Sequence, residues 1–96
     1  MKKEVLMSLL KQDLNRTGVT LDDDYLSALI QAAISRLVRQ GIRLENNEEY
    51  QILIVGTAAW MYRKRINGEA MPMYLRAMRN DILVSQKMRV VGTYDG

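Results

Sequence analysis

Apolar residues in this chain recur at three- and four-residue intervals, the spacing of one helical face, in four stretches separated by polar, glycine- or proline-bearing turns. The pattern predicts four helices. The first runs from about Lys3 to Leu14, with Val5, Leu6, Leu9, Leu10 and Leu14 on one stripe, and stops at Asn15-Arg16-Thr17-Gly18. The second has the clearest start: Thr20 is placed to cap it, Asp23 to reach back, and Asp22, Asp23 and Asp24 sit where the helix dipole is positive. Its stripe is Leu26, Leu29, Ile30, Ala33, Ile34, Leu37 and Val38, and Gly41 marks its end behind Arg36 and Arg39.

A short connection, Ile42 to Asn47, is expected to tuck Ile42 and Leu44 against the core, with Asn47 capping a third helix at Glu48 and Glu49. From Ile52 through Tyr62 only Gly56 and Thr57 interrupt the apolar run, so this helix should lie centrally, touched on most sides. A buried strand at Ile52 to Val55 is the weaker reading, because the run continues into Ala-Ala-Trp-Met-Tyr and closes with Arg63-Lys64-Arg65. Gly56, Ala58 and Ala59 are small enough to admit a neighbour closely. Asn67-Gly68 then turns the chain, and Pro72 is pre-shaped for the first turn of a fourth helix carrying Leu75, Met78, Ile82 and Leu83, with its end expected near Lys87 or Met88. The expected fold is all-α: a small bundle of four main helices in one domain, residues 1–89, with residues 90–96 as an extended, flexible C-terminal arm. The strand-prone Val90, Val91 and Tyr94 find no partner inside such a bundle.

Composition mainly removes chemistry. With no cysteine and no histidine the chain lacks thiol nucleophiles, imidazole bases and nearly every transition-metal ligand. No enzyme activity and no cofactor are expected. Asp22, Asp23 and Asp24 invite a divalent-metal reading, but consecutive helical residues point about 100° apart and cannot converge on one ion, so capping is preferred. Glu45, Glu48 and Glu49 lie in the most polar stretch, where a solvated helix start explains them better than acid–base catalysis. Lys2 and Lys3 resemble the basic start of a signal peptide, yet Lys11, Gln12 and Asp13 break the apolar run early, so no export signal is expected. The most apolar stretch is about half the roughly 20 residues that span a bilayer, and no membrane partner is expected.

Charge adds a direction. The net charge is +3, but residues 1–62 carry 7 Lys/Arg against 8 Asp/Glu, whereas residues 63–96 carry 7 against 3. The basic surface is C-terminal: Arg63, Lys64, Arg65, Arg76, Arg79, Lys87 and Arg89. It suits a solvated face, an acidic protein neighbour or a nucleic-acid backbone. Base-specific readout is not expected, because the helix after each turn carries Leu, Met and Ile rather than base-reading side chains. Trp60, Tyr62, Tyr74 and the seven Met read chiefly as core and core margin, although Met71, Met73 and Met78 flank the basic residues as an adaptable interface would.

Two segments carry a family resemblance. Tyr50 through Arg65, then Gly68-Glu69-Ala70-Met71-Pro72 and a helix ending Ser85-Gln86-Lys87-Met88-Arg89, resembles the head-tail connector proteins of tailed bacteriophages and prophages. Leu21 through Ala33, two acids followed by Leu-x-x-Leu-Ile-x-Ala-Ala, fits their first long helix, and the resemblance covers roughly residues 4 to 89. It implies a structural subunit of a ring, typically dodecameric, below the portal protein at the head-tail junction of the virion, assembled in the bacterial host cytoplasm. Such a ring extends the DNA channel, through which DNA passes without sequence-specific binding, and docks a head-completion, stopper or tail protein. By the same analogy the arm Val90, Val91 and Tyr94 would clasp the portal or a neighbour. A homo-oligomeric ring needs two different patches that meet, and the acidic Asp22, Asp23 and Asp24 facing the basic cluster from Arg63 onward would supply opposite signs. The alternative is a small DNA-binding regulator using the basic C-terminal face.

Overall fold

The computed structural model describes residues 2–14 and 23–95, the last seven of these by backbone alone. They form an all-α bundle of four helices in chain order: α1 Lys3–Asp13, α2 Asp23–Arg39, α3 Glu48–Asn67 and α4 Met73–Asp95. The local signals act largely as expected. The Asn47 side chain accepts a hydrogen bond from the Tyr50 amide at 3.0 Å, satisfying a donor that the first turn of α3 leaves free. At the end of α2, Gly41 takes φ 98° and its amide donates to Val38 O, while the Ile42 amide reaches back to Leu37 O. This pair of bonds is a Schellman closure, and it drives Ile42 onto Leu37, both almost fully buried. Gly68, at φ 70°, closes α3 more simply, with one amide bond to Lys64 O at 2.8 Å.

Helix α3 occupies the centre. Tyr50 and every residue from Leu53 through Trp60 are buried, so it is enclosed on nearly all sides by α1, α2 and α4, as its unbroken apolar run requires. Leu6 and Leu10 of α1, and Leu26, Leu29, Ile30, Ala33 and Leu37 of α2, complete the core on one side. Leu75 and Ile82 of α4 close it on the other. The contact with α4 passes through Gly56: a Cβ there would stand 2.5 Å from Leu75 Cδ2, so the helices pack this closely only because the side chain is missing.

Among the described residues, α4 packs on α3 and on no other helix. Its far half is tied instead to the α2–α3 connection through Gln86, which is buried. The Gln86 side-chain amide donates to Arg43 O and to the Tyr50 hydroxyl, both at 2.8 Å, and its oxygen accepts the Arg43 amide at 3.0 Å. Tyr50 in turn donates to Glu45 Oε2 at 2.9 Å.

Two expectations need correction. Helix α4 does not stop near Lys87 or Met88 but runs on to Asp95, so the backbone at Val90, Val91 and Tyr94 is helical rather than extended. Propagating an existing helix adds one hydrogen bond per residue, and against this Val90 and Val91 cost only about 0.5–0.7 kcal/mol each and Gly92 about 1 kcal/mol. Secondly, Val38 at 54% exposure and Val5 at 40% lie outside the core although both belong to the predicted stripes. The Thr20 cap and Asp22 fall outside the described residues.

Candidate interaction surfaces

The basic run at the end of α3 does not form one surface. Successive helical residues point about 100° apart, and each cation meets a different neighbour. Arg63 turns to α1, where Nη2 donates to Asp13 O at 3.0 Å and stands 3.7 Å from the Asp13 carboxylate. Lys64 lies over the Trp60 ring at 4.9 Å, and Arg36 of α2 approaches the same ring at 5.1 Å. Arg65 covers Tyr25 of α2 at 4.9 Å, and Tyr25 meets Tyr62 with ring centroids 6.1 Å apart. Arg65 donates a hydrogen bond to the Tyr25 oxygen, and this, followed by the attraction of that oxygen, raises the Arg65 pKa above its ordinary value. Together these contacts form a cation–aromatic seam joining α2 to the last turns of α3, where positive charge also complements the helix dipole.

Trp60 anchors the turn that follows. Its indole Nε1 donates to Glu69 O at 3.0 Å while the ring is only 5% exposed. Trp60→Phe keeps most of the packing and loses that bond and part of the cation–ring attraction, an expected cost of about 1–2 kcal/mol. Urea unfolding followed by circular dichroism measures it, and an unchanged midpoint would show that the indole nitrogen contributes nothing.

The other predicted basic residues lie on α4. Arg76 and Arg79, with Met73, Ala77 and Asn80, line a shallow depression of about 390 Å³, and Arg79 lies 3.9 Å from the Met71 sulfur. Arg65 instead lines a depression of about 220 Å³ with Tyr25, Tyr62 and Ile66. The structure thus divides the predicted cluster between two places. Lys87 is exposed on the last described turns, and Arg89, like Val90, Val91 and Tyr94, is described by backbone alone.

A second feature of α4 escaped the sequence reading. Met73 at 82% exposure, Val84 at 56% and Met88 at 67% face outward with Ala77. At 100° per residue these four fall within about 60° of one another, opposite the buried Leu75, Ile82 and Gln86. The helix therefore has two apolar stripes, only one of which is used inside the chain. The spacing of four, seven and four residues was visible in the sequence, but the inner stripe accounted for the helix without it.

The acidic side is also divided. Asp22 lies outside the described residues, Asp23 Oδ1 pairs with Lys11 Nζ at 2.7 Å, and Asp24 is exposed. Asp23 therefore staples α2 to α1. Glu48 and Glu49 stand exposed at the start of α3, beside Ile52, which is itself 50% exposed just before the buried stretch from Leu53 to Trp60. Among the described residues no group of His, Cys, Asp and Glu is arranged to hold a metal ion. Nor is any described helix long and apolar enough to cross a membrane. A scan against protein-family models finds no match, and searches of curated proteins and of solved structures find none either.

Proposed function

We propose that this chain is a structural, non-catalytic subunit of a phage head-tail connector, a ring below the portal that extends the DNA channel and docks the next connector or tail protein. The resemblance across residues 4 to 89 supports the reading. The observation that carries it is α4: a 23-residue helix on which the buried side chains are Leu75, Ile82 and Gln86, with an apolar and basic face left outward. A helix of 23 residues is about 34 Å long, and the molecule is correspondingly drawn out to 52 × 28 × 18 Å. Apolar side chains held in water on a rigid helix suit a subunit whose surface is completed by other proteins. The seam of Arg36, Lys64 and Arg65 on Trp60 and Tyr25 engages those cations within the last turns of α3, leaving Arg76, Arg79 and Lys87 of α4 to steer an acidic neighbour or border the channel.

Native mass spectrometry of the chain mixed with a portal ring, from the replicon that encodes it, tests the proposal. Several copies per portal are expected, and a chain that never associates with the portal would sink it. The same sample offers the competing outcome. Salt-sensitive duplex binding lost on joint Arg76→Ala and Arg79→Ala substitution, with no portal association, would establish a DNA-binding regulator instead.

A further inference from the structure

We propose that the outward stripe of α4 crosses the acidic start of α3 of a second copy, the middle of the stripe at Ala77 and Val84 covering Ile52 while Arg76 and Lys87, to either end, face Glu48 and Glu49. The contact rests on the ring-forming reading above and assigns that ring its two surfaces. Its first support is the stripe, exposed as described and flanked along one edge by Arg76 and Lys87, which fall about 40–60° to the same side of Met73 on the helix. Asp81 lies on the other edge.

Charge decides what covers the stripe. An antiparallel two-fold pairing of α4 with itself sets Arg76 and Lys87 against those of the other copy and Asp81 against Asp81, which is repulsive along both edges, and a parallel one sets the two cations against the single Asp81. The occupant that matches both cations is apolar at its centre and carries two acids beside it. Elsewhere in the described chain the exposed large aliphatic residues are Val5, Val38, Ile52 and Ile66. Val5 follows Lys2, Lys3 and Glu4, Val38 precedes Arg39, and Ile66 follows Arg65. Ile52 alone has an acidic setting, with Glu48 and Glu49 one turn earlier and on either side of it.

The two patches differ, so the contact is heterologous and passes from copy to copy, closing into a ring where the rotation allows. Each patch comprises only a few exposed side chains, far fewer than the roughly 20–30 residues a side of a standard stable interface, so a single contact is weak and ring closure supplies the avidity. Weak pairwise association that becomes firm only in a closed assembly is the behaviour expected of a subunit organised by a template.

The absence of cysteine makes the test direct, because only introduced thiols can cross-link. Ile52→Cys and Val84→Cys chains, mixed in equal amounts at high concentration and oxidised mildly, are expected to give the 52–84 disulfide in about fivefold excess over either like pair, against about twofold for random collision. Ala77→Cys repeats the experiment at an independent position, and circular dichroism confirms that each variant folds. Glu48→Lys with Glu49→Lys in the first chain should reduce the excess to the random ratio, and Arg76→Glu with Lys87→Glu in the second should restore it. A random ratio for the unreversed chains, dominance of the 84–84 product, or an excess indifferent to charge reversal would each overturn the contact. Portal association of the unmodified chain is read separately. A chain that joins the portal in several copies but shows only random cross-linking keeps the connector reading and loses this interface.

Discussion

Gly56→Ala is expected to destabilise the native chain and to stabilise a Leu75→Ala variant, a reversal of sign produced by one interatomic distance. In a solvated helix, replacing glycine by alanine gains about 1 kcal/mol, because the alanine backbone has less freedom to lose. At position 56 that gain meets a clash: the new Cβ would lie 2.5 Å from Leu75 Cδ2 and 3.4 Å from Leu75 Cγ and the Tyr74 hydroxyl. Leu75 is fully buried, so its side chain must repack among core neighbours or α4 must shift, and overpacking of this kind costs about 1–3 kcal/mol. The clash outweighs the propensity, and a net loss of about 1 kcal/mol is expected. Leu75→Ala alone removes the largest contact of α4 with the core and should cost about 2–5 kcal/mol. In that background the obstructing atoms are gone and Gly56→Ala recovers up to about 1 kcal/mol. Urea unfolding of the four chains closes the cycle. A Gly56→Ala effect of the same sign in both backgrounds would show that Leu75 is not what the glycine accommodates.

Much of the fold was readable because its determinants are local. Asn47, Gly41 and Gly68 act through hydrogen bonds and dihedral angles within a few residues of themselves, so their roles can be assigned before any tertiary contact is known. The centrality of α3 was equally legible, since a helix apolar on all sides has no stable place except the middle. The surfaces were less legible because they depend on direction. Arg63, Lys64 and Arg65 are adjacent in sequence and read as one patch, yet the helix separates them by about 100° each and gives them to Asp13, Trp60 and Tyr25. Asp23 looked like a member of a partner-facing acidic group, and α1 supplies Lys11 to it from a part of the chain that no spacing rule connects. Met73 read as core margin, but the inner face of α4 is narrow and it points outward, whereas Tyr74, though 56% exposed, brings its hydroxyl back to Gly56 of α3.

The exposed stripe and the length of α4 have the same physical origin. A helix that buries side chains at 75, 82 and 86 makes one contact per turn or two with its neighbour, which fixes its position but leaves most of its circumference in water. Selection for the isolated fold would favour polar residues there. Met73, Val84 and Met88 are flexible or compact apolar groups of the kind that repack against a partner, and their place on the least covered helix links the packing of the chain to its proposed role in assembly.

Gln86→Leu is expected to cost about 2–4 kcal/mol although the two side chains are nearly equal in size, because three hydrogen bonds end on this one buried amide. Leucine would leave the Arg43 amide and carbonyl without their side-chain partner and would take from the Tyr50 hydroxyl the donor it accepts, while Tyr50 keeps its own bond to Glu45. Arg43 is exposed, so water can reach part of what is lost, and this holds the cost below that of three fully buried orphans. Tyr50→Phe should cost about 1 kcal/mol alone and less than that beside Gln86→Leu, since the two residues share a bond. The loss should also be uneven along the chain. Gln86 is the last side chain by which the described part of α4 is held, so amides in the second half of α4 should exchange faster than those of α2 and α3, beyond what the global destabilisation accounts for. Hydrogen exchange read by mass spectrometry separates the two cases. Uniform acceleration would mean that Gln86 supports the whole bundle, and an exchange pattern like that of the native chain would remove it as the clasp between α4 and the Arg43 turn.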